Sequence, residues 1–463
     1  MNADSGQTGE VTALRERFAR AVGNAEKTDL GLQLADLLSG QGACEEAIEI
    51  LSQCRPLATD ERDVALILQK LGSIHLRLSQ YERAYELLGD ALERLRAHPD
   101  SLELFQVYYD IAWMFFRQGY LDNARSYVDG ARVVLDGLPG KNASGTEQQE
   151  AELLHITALI EAAAGNHGLA AASLTREVAL HEKNGDQHRQ AAVFNKLAGI
   201  ALVTGDVIKA IAYQDLTHEI STRCNDNFRL ALSHKNYGDI YYILGDYDRA
   251  LENYQRALEI GRSIRNRLGE AFTQAGIGNV QCCRGDLRSA GYHLERALCV
   301  ARELDNRDRE ACLLADLAAL NCRLNNPGEA LRLLDQAEQI DASRGQPISP
   351  RHRLLSAMAL FQLREPPSAA QARQVVEILL SGPILIDDEE MVTIPELEIE
   401  SNFLLARIDE RDGRADEARQ SVRQAVGLVE HFIEPLTDGM KRTFIAKQPI
   451  ADIYAFQQKL GAG

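Results

Sequence analysis

Gly245-Asp246-Tyr247-Asp248-Arg249-Ala250-Leu251-Glu252-Asn253-Tyr254-Gln255-Arg256-Ala257 is the stretch on which the fold turns. Forty residues earlier stands Gly205-Asp206-Val207-Ile208-Lys209-Ala210, and forty later Gly285-Asp286-Leu287-Arg288-Ser289-Ala290. Ala170, Ala210, Ala250, Ala290 and Ala330 keep that spacing of 40 without an insertion. The register continues with small shifts through Ala47, Ala84, Ala124 and Ala418, with a degenerate copy near Ala372. The result is about ten units over residues 28–430. A fixed period of this length is the mark of a repeat architecture.

The interior of each unit predicts two antiparallel helices. Twelve residues before the register alanine stands a second small residue: Ala35, Gly72, Ala112, Ala158, Ala198, Gly238, Gly278, Ala318, Ala406. Two small residues at those points let two helix backbones approach closely. Five residues before it stands a turn residue: Gly42, Ser79, Gly119, Gly165, Gly205, Gly245, Gly285, Asn325, Gly413. Gly and Asn accept the left-handed conformation that ends a helix. Asn166, Asp206, Asp246, Asp286 and Asn326 follow it as N-caps for the second helix. Asp186, Asp226, Asn266 and Asn306 recur at 40 and mark the turns between units.

This pattern resembles the tetratricopeptide repeat, and Tyr237-Gly238 … Gly245-Asp246-Tyr247 … Ala250 … Tyr254 … Ala257 carries the resemblance most fully. The family's period is about 34 residues. The longer unit here is similar to the long-helix subclass of spindle-orientation scaffolds, peptide-sensing bacterial regulators and the arms of large bacterial ATPase regulators. The resemblance implies an all-α, right-handed α-solenoid of about ten helix-turn-helix units with capping helices. Ala418–Phe432, Met440–Lys447 and Ile453–Phe456 are similar to the ends of bacterial repeat arms that carry a CHAT protease or serve a kinase. The chain stops at Gly463, where such an effector would begin, so this second resemblance implies kinship of the arm without its catalysis.

The organisation expected is a disordered start and capping helix over 1–27, units over 28–136, a linker or hinge over 137–150, and strict units over 151–340. Degenerate units over 341–430 and capping helices over 431–463 complete it. Residues 381–396 read as an acidic loop.

Composition narrows the function classes. With 50 basic and 68 acidic residues the net charge is −18, which repels phosphate backbones and anionic lipid. No apolar run reaches the ~18 residues of a membrane span, and residues 1–7 lack the pattern of a secretory signal. A cytoplasmic protein is expected, with neither nucleic acid nor membrane as partner. Its 8 cysteines do not read as a disulfide framework. Cys282, Cys283, Cys312 and Cys322 lack metal-ligand spacing and read as buried small hydrophobes. The histidines form no HExxH, and no phosphate-binding loop or nucleophile elbow appears. No catalytic residue, metal or cofactor is expected.

On the family's register, the residues facing the concave groove lie about 18, 15, 11, 8 and 7 positions before the register alanine. In the third unit these are Gln106, Tyr109, Trp113, Phe116 and Arg117, including the single tryptophan. Tyr and Trp there serve either a partner or packing between units. In the central units they include Asn195, Lys235, Asp239, Tyr242 and Asn279, with Asn236 adjacent. Asn side chains hold peptide amides without demanding a side chain, and Lys235 offers a charge for an acidic ligand residue. The expected function is a non-catalytic scaffold that captures a protein or peptide segment in its groove. The alternatives are a peptide receptor that changes superhelical shape, or a regulatory arm of a separately encoded CHAT-type protease or kinase.

Overall fold

The structure is a computed structural model that describes residues 3–138, 146–344, 347–363, 366–381 and 393–461. Residues 139–145 of the expected 137–150 linker and 382–392 of the acidic 381–396 loop lie outside the described residues, and 147–150 belong to a helix.

In chain order the helices are α1 Ala3–Arg20, α2 Asn24–Gly40, α3 Cys44–Cys54, α4 Glu61–Arg77, α5 Tyr81–Leu95, α6 Leu102–Arg117, α7 Leu121–Gly137 and α8 Glu147–Ala163. Then come α9 His167–Lys183, α10 Gln187–Val203, α11 Val207–Arg223, α12 Asn227–Ile243, α13 Tyr247–Ser263, α14 Arg267–Arg284, α15 Leu287–Glu303 and α16 Arg307–Arg323. The last are α17 Pro327–Ser343, α18 Pro350–Leu363, α19 Pro366–Ser381, α20 Ile394–Arg411, α21 Ala415–Ile433, α22 Asp438–Ala446 and α23 Ile450–Gly461. No strand occurs among the described residues. The chain divides into two compact units, Met1–Ile160 and Glu161–Gly463.

The 40-residue period now has a mechanical explanation. Of α9 to α17 all but α14 are 17 residues long, and three residues join most of them. Every register alanine from Ala47 to Ala418, Ala372 included, is fully buried where the two helices of a hairpin meet. All nine expected turn residues have positive φ, Ser79 and Asn325 among them. The turns between units use the same conformation at Gly185, Asn225, Arg265 and Asp305. Asp186, Asp206, Asp226, Asp246, Asn266, Asp286 and Asn306 each accept a backbone N–H three residues on. Asn166 and Asn326 do not cap as expected. Each donates its amide backward instead, Asn166 Nδ2 to Glu161 Oε2 at 2.7 Å and Asn326 Nδ2 to Asn321 Oδ1 at 3.4 Å. An amide has a donor that a carboxylate lacks, and the preceding helix supplies its acceptor.

Within the second unit, from α9 to α21, each hairpin packs on the next, and the first helices also touch one another, α10 on α12, α12 on α14 and α14 on α16. They therefore line the inner face of a solenoid. Gly238 matters to this packing. A Cβ there would lie 2.4 Å from Cε1 of Tyr254, and one on Gly276 would lie 2.5 Å from Cζ of the same ring. Tyr254 is fully buried between the two glycines.

Within the second unit the C-terminal helices do more than cover the last hairpin. Their core joins Phe432, Phe444, Ile450 and Ile453 to Ala201, Val207, Ile240, Ile243 and Leu244, far earlier in the chain. Glycine turns make the approach possible, because a Cβ on Gly205 would stand 2.7 Å from Pro395 Cγ and one on Gly245 3.0 Å from Lys447 Cβ. Lys447 Nζ donates to the Ile243 carbonyl at 3.1 Å and to Glu396 Oε1 at 2.5 Å. Both side chains are only 8% exposed, so each charge depends on the other. The second oxygen of Glu396 closes a capping box with Thr393 at the start of α20.

Candidate functional site

The first helices of three consecutive hairpins, α10, α12 and α14, enclose an open cavity of about 530 Å³, with α11 and α13 behind them. That volume is in the usual range for a small-ligand or short-peptide site. Positions 18, 15, 11 and 8 before the register alanine supply Ala192, Asn195, Gly199 and Leu202 from α10, Leu232, Lys235 and Asp239 from α12, and Phe272 from α14. Four of the residues expected to face the groove, Asn195, Lys235, Asn236 and Asp239, thus meet at one cavity.

Polar groups on its wall form a ladder between hairpins. Asn236 Nδ2 donates to Asn195 Oδ1 at 2.7 Å and to Gln214 Oε1 at 3.3 Å. Gln214 is fully buried, yet its Nε2 has no acceptor among the described residues. Lys235 Nζ reaches Asp239 Oδ2 at 2.7 Å, one helical turn away, and lies 5.7 Å from the centre of the Phe272 ring. Asp239 is committed twice, because its other oxygen accepts from the Tyr254 hydroxyl at 2.7 Å. The charge of Lys235, expected to serve a ligand, is therefore already matched inside its own helix.

Lys196, Arg229 and Lys235 line the cavity against the single carboxylate of Asp239. Arg229 is held by Asp226 at 2.6 Å, outside the cavity. The lining is thus cationic in a chain of net charge −18. Phe228, Leu268 and Phe272 form its apolar side, and Phe228 is 55% exposed. Phe272 and Lys196 were not among the expected residues, although Phe272 sits on the register, 18 residues before Ala290, and Lys196 directly follows Asn195. Gln214 lies on a second helix, a face expected only to pack, and carried no sequence signal.

Tyr242 and Asn279 are elsewhere. Tyr242 lies beneath Lys447, whose Nζ is 5.5 Å from its ring centre, and beside Cys283 Sγ at 3.8 Å from its hydroxyl. Asn279 is 7% exposed and does not line the cavity. Cys282 and Cys322 are buried, and desolvation raises both thiols to about 11. They are protonated at neutral pH.

The third-unit residues lie in the first compact unit, on α6. Tyr109 and Trp113 meet edge to face at 6.3 Å, and Trp113 and Phe116 at 5.6 Å. All three are partly buried against the core of that unit, while Arg117 is exposed. Gln106 Nε2 donates to Asp110 Oδ1 at 3.0 Å, and Gln69 Nε2 donates to the other oxygen at 2.5 Å. Gln69 and Asp110 occupy the same two register positions as Asn195 and Asn236, so the polar rung recurs in both units.

Burial raises the Asp110 carboxyl to about 6, against its two amide partners, which lower it. The folded state then holds this proton more tightly than the unfolded chain does. Stability must fall as pH rises from about 4 to about 6 and stay low above that. Asp110→Asn is expected to be more stable than the parent at pH 7 by up to roughly 3 kcal/mol, the equivalent of the shift. The advantage disappears near pH 4. Denaturant unfolding followed by the fluorescence of Trp113, one turn away, measures it, and a difference independent of pH would refute it.

Residues 189–263 match the family model of the tetratricopeptide repeat. No curated protein matches the chain in sequence. Among solved structures, the chain is similar to a Rap protein complexed with competence and sporulation factor, at 14% identity and a TM-score of 0.53, covering 80% of this chain and 98% of that one. NprR in complex with its cognate peptide NprX is similar at 12% identity and a TM-score of 0.53, over 78% and 98% of the two chains. The apo form of RapI matches at 12% identity and a TM-score of 0.50, over 80% and 99%. These likenesses are of fold. They do not bear on the resemblance of the C-terminal stretch to protease- or kinase-associated arms.

Proposed function

We propose, from the premise that these hairpins are tetratricopeptide repeats, that the chain binds a short peptide segment in the cavity between α10, α12 and α14, without catalysis. One observation carries the reading: the groove-facing positions of three successive repeats converge on an open cavity with amide groups on one wall and aromatic rings on the other. Asn195, Asn236 and Gln214 offer the hydrogen-bonding groups an extended backbone needs, and Gln214 Nε2 still lacks an acceptor. Phe228, Leu268 and Phe272 accept apolar side chains, and Lys196 favours a segment carrying a carboxylate. Two structures of similar fold, the Rap protein and NprR, are complexes with competence and sporulation factor and with the peptide NprX. A receptor that changes shape is favoured over a rigid scaffold by one feature, the grip of the C-terminal helices on α12, which is also a cavity wall.

The test is selection of displayed random peptides on the whole chain, followed by titration of a selected peptide. Phe272→Ala removes a central aromatic anchor and should weaken that peptide by about 30-fold, roughly 2 kcal/mol. Selected peptides that bind parent and variant equally would overturn the reading.

A further inference from the structure

The same helix serves two masters in the second unit. Along α12, Phe228 to Ile240 line the cavity, and the next turn carries Tyr242 and the Ile243 carbonyl that Lys447 holds. Leu202 and Ile240 are shared more directly. Both line the cavity, and both pack into the apolar core that the C-terminal helices build with Phe432, Phe444 and Ile453. The docked helices thus support the cavity wall from behind. The cavity is open and formed while they are docked.

We propose that docking of the C-terminal helices α22–α23 and occupancy of the cavity are coupled through α12, each strengthening the other. The inference rests on the cavity being the binding site. Its sign follows from the geometry, since the docked arrangement is the one in which the wall is in place. The bistable element is the Lys447–Glu396 contact. Two nearly buried charges compensate each other, so parting them exposes both to water together rather than leaving a partial contact. Thermodynamic linkage makes the coupling reciprocal: whatever fills the cavity must tighten the docked helices by the factor that docking tightens its binding.

Gly199 allows the coupling to be tested without a peptide. It lines the cavity in mid-helix, and a Cβ added there meets nothing within 4 Å. The phenyl group of Gly199→Phe enters the cavity as a tethered occupant. Amide hydrogen exchange of the full chain is measured for the parent, Gly199→Phe and Lys447→Met. Gly199→Phe is expected to slow exchange across residues 438–461 by at least about five-fold, the low end of coupling between sites. Lys447→Met is expected to speed exchange across residues 228–240 by a similar factor, with residues 287–343 unchanged as the control. If Gly199→Phe leaves 438–461 unchanged, or Lys447→Met loosens only its own segment, the coupling is wrong, because it must act both ways. If Lys447→Met loosens the control residues too, Gly199→Phe alone decides. Failure of peptides to bind the parent chain would overturn the binding site and not these exchange results, so the two readings fail separately.

Discussion

Gly238→Val should abolish cooperative folding of the second unit at temperatures where the parent is fully folded. The first added atom would stand 2.4 Å from the Tyr254 ring, far inside any real carbon–carbon contact. The ring has little room to retreat, because the α14 backbone at Gly276 also lies against it, so close that a Cβ there would stand 2.5 Å from its Cζ. Its hydroxyl is also fixed on Asp239, whose other oxygen pairs with Lys235. Relief requires the α12–α13 hairpin to open, with loss of a fully buried tyrosine's packing. We expect a cost above about 3 kcal/mol, at or beyond the upper end for overpacked cores. A thermal melt followed by circular dichroism measures it, and a midpoint within about 2 °C of the parent would show that the slot has slack.

Gly199→Phe should have the opposite balance. It stands in mid-helix like Gly238, but beside open space. Replacing a helical glycine gains roughly 0.5 kcal/mol of helix propensity, so the melting midpoint should hold or rise. The phenyl group occupies the volume that Asn195, Lys235 and Phe272 surround. Binding of a library-selected peptide should fall by more than about 100-fold, roughly 3 kcal/mol. Affinity unchanged in this variant would place the peptide elsewhere. The two substitutions together separate a glycine needed for packing from one that keeps a site empty.

The fold was legible in the sequence because backbone geometry imposes it locally. A left-handed turn residue followed by an N-cap recurs at 40, and each register alanine is fully buried. Arg265 and Asp305 were not legible as left-handed residues, since neither type announces that conformation and the fixed link holds them there. The cavity was half legible. Asn195, Lys235, Asn236 and Asp239 follow from register alone. That Lys235 spends its charge on Asp239 follows from spacing within one helix, but the choice between an internal and an external partner depends on burial. Tyr242 faces inward at its expected position and is covered there by Lys447, a residue no local pattern links to it.

The contact between Lys447 and Ile243 spans 204 residues. An open-ended array can gain or lose a module by duplication or deletion, since each module touches only its neighbours. Here the two jaws of a caliper sit on modules far apart, and the distance between them is set by how many modules intervene. One extra 40-residue insert between α13 and α19 would leave every turn and every alanine in phase and keep Lys447 on Glu396, yet carry the pair past the Ile243 carbonyl. The second unit therefore measures its own length, because the contact forms only when the intervening modules have this number.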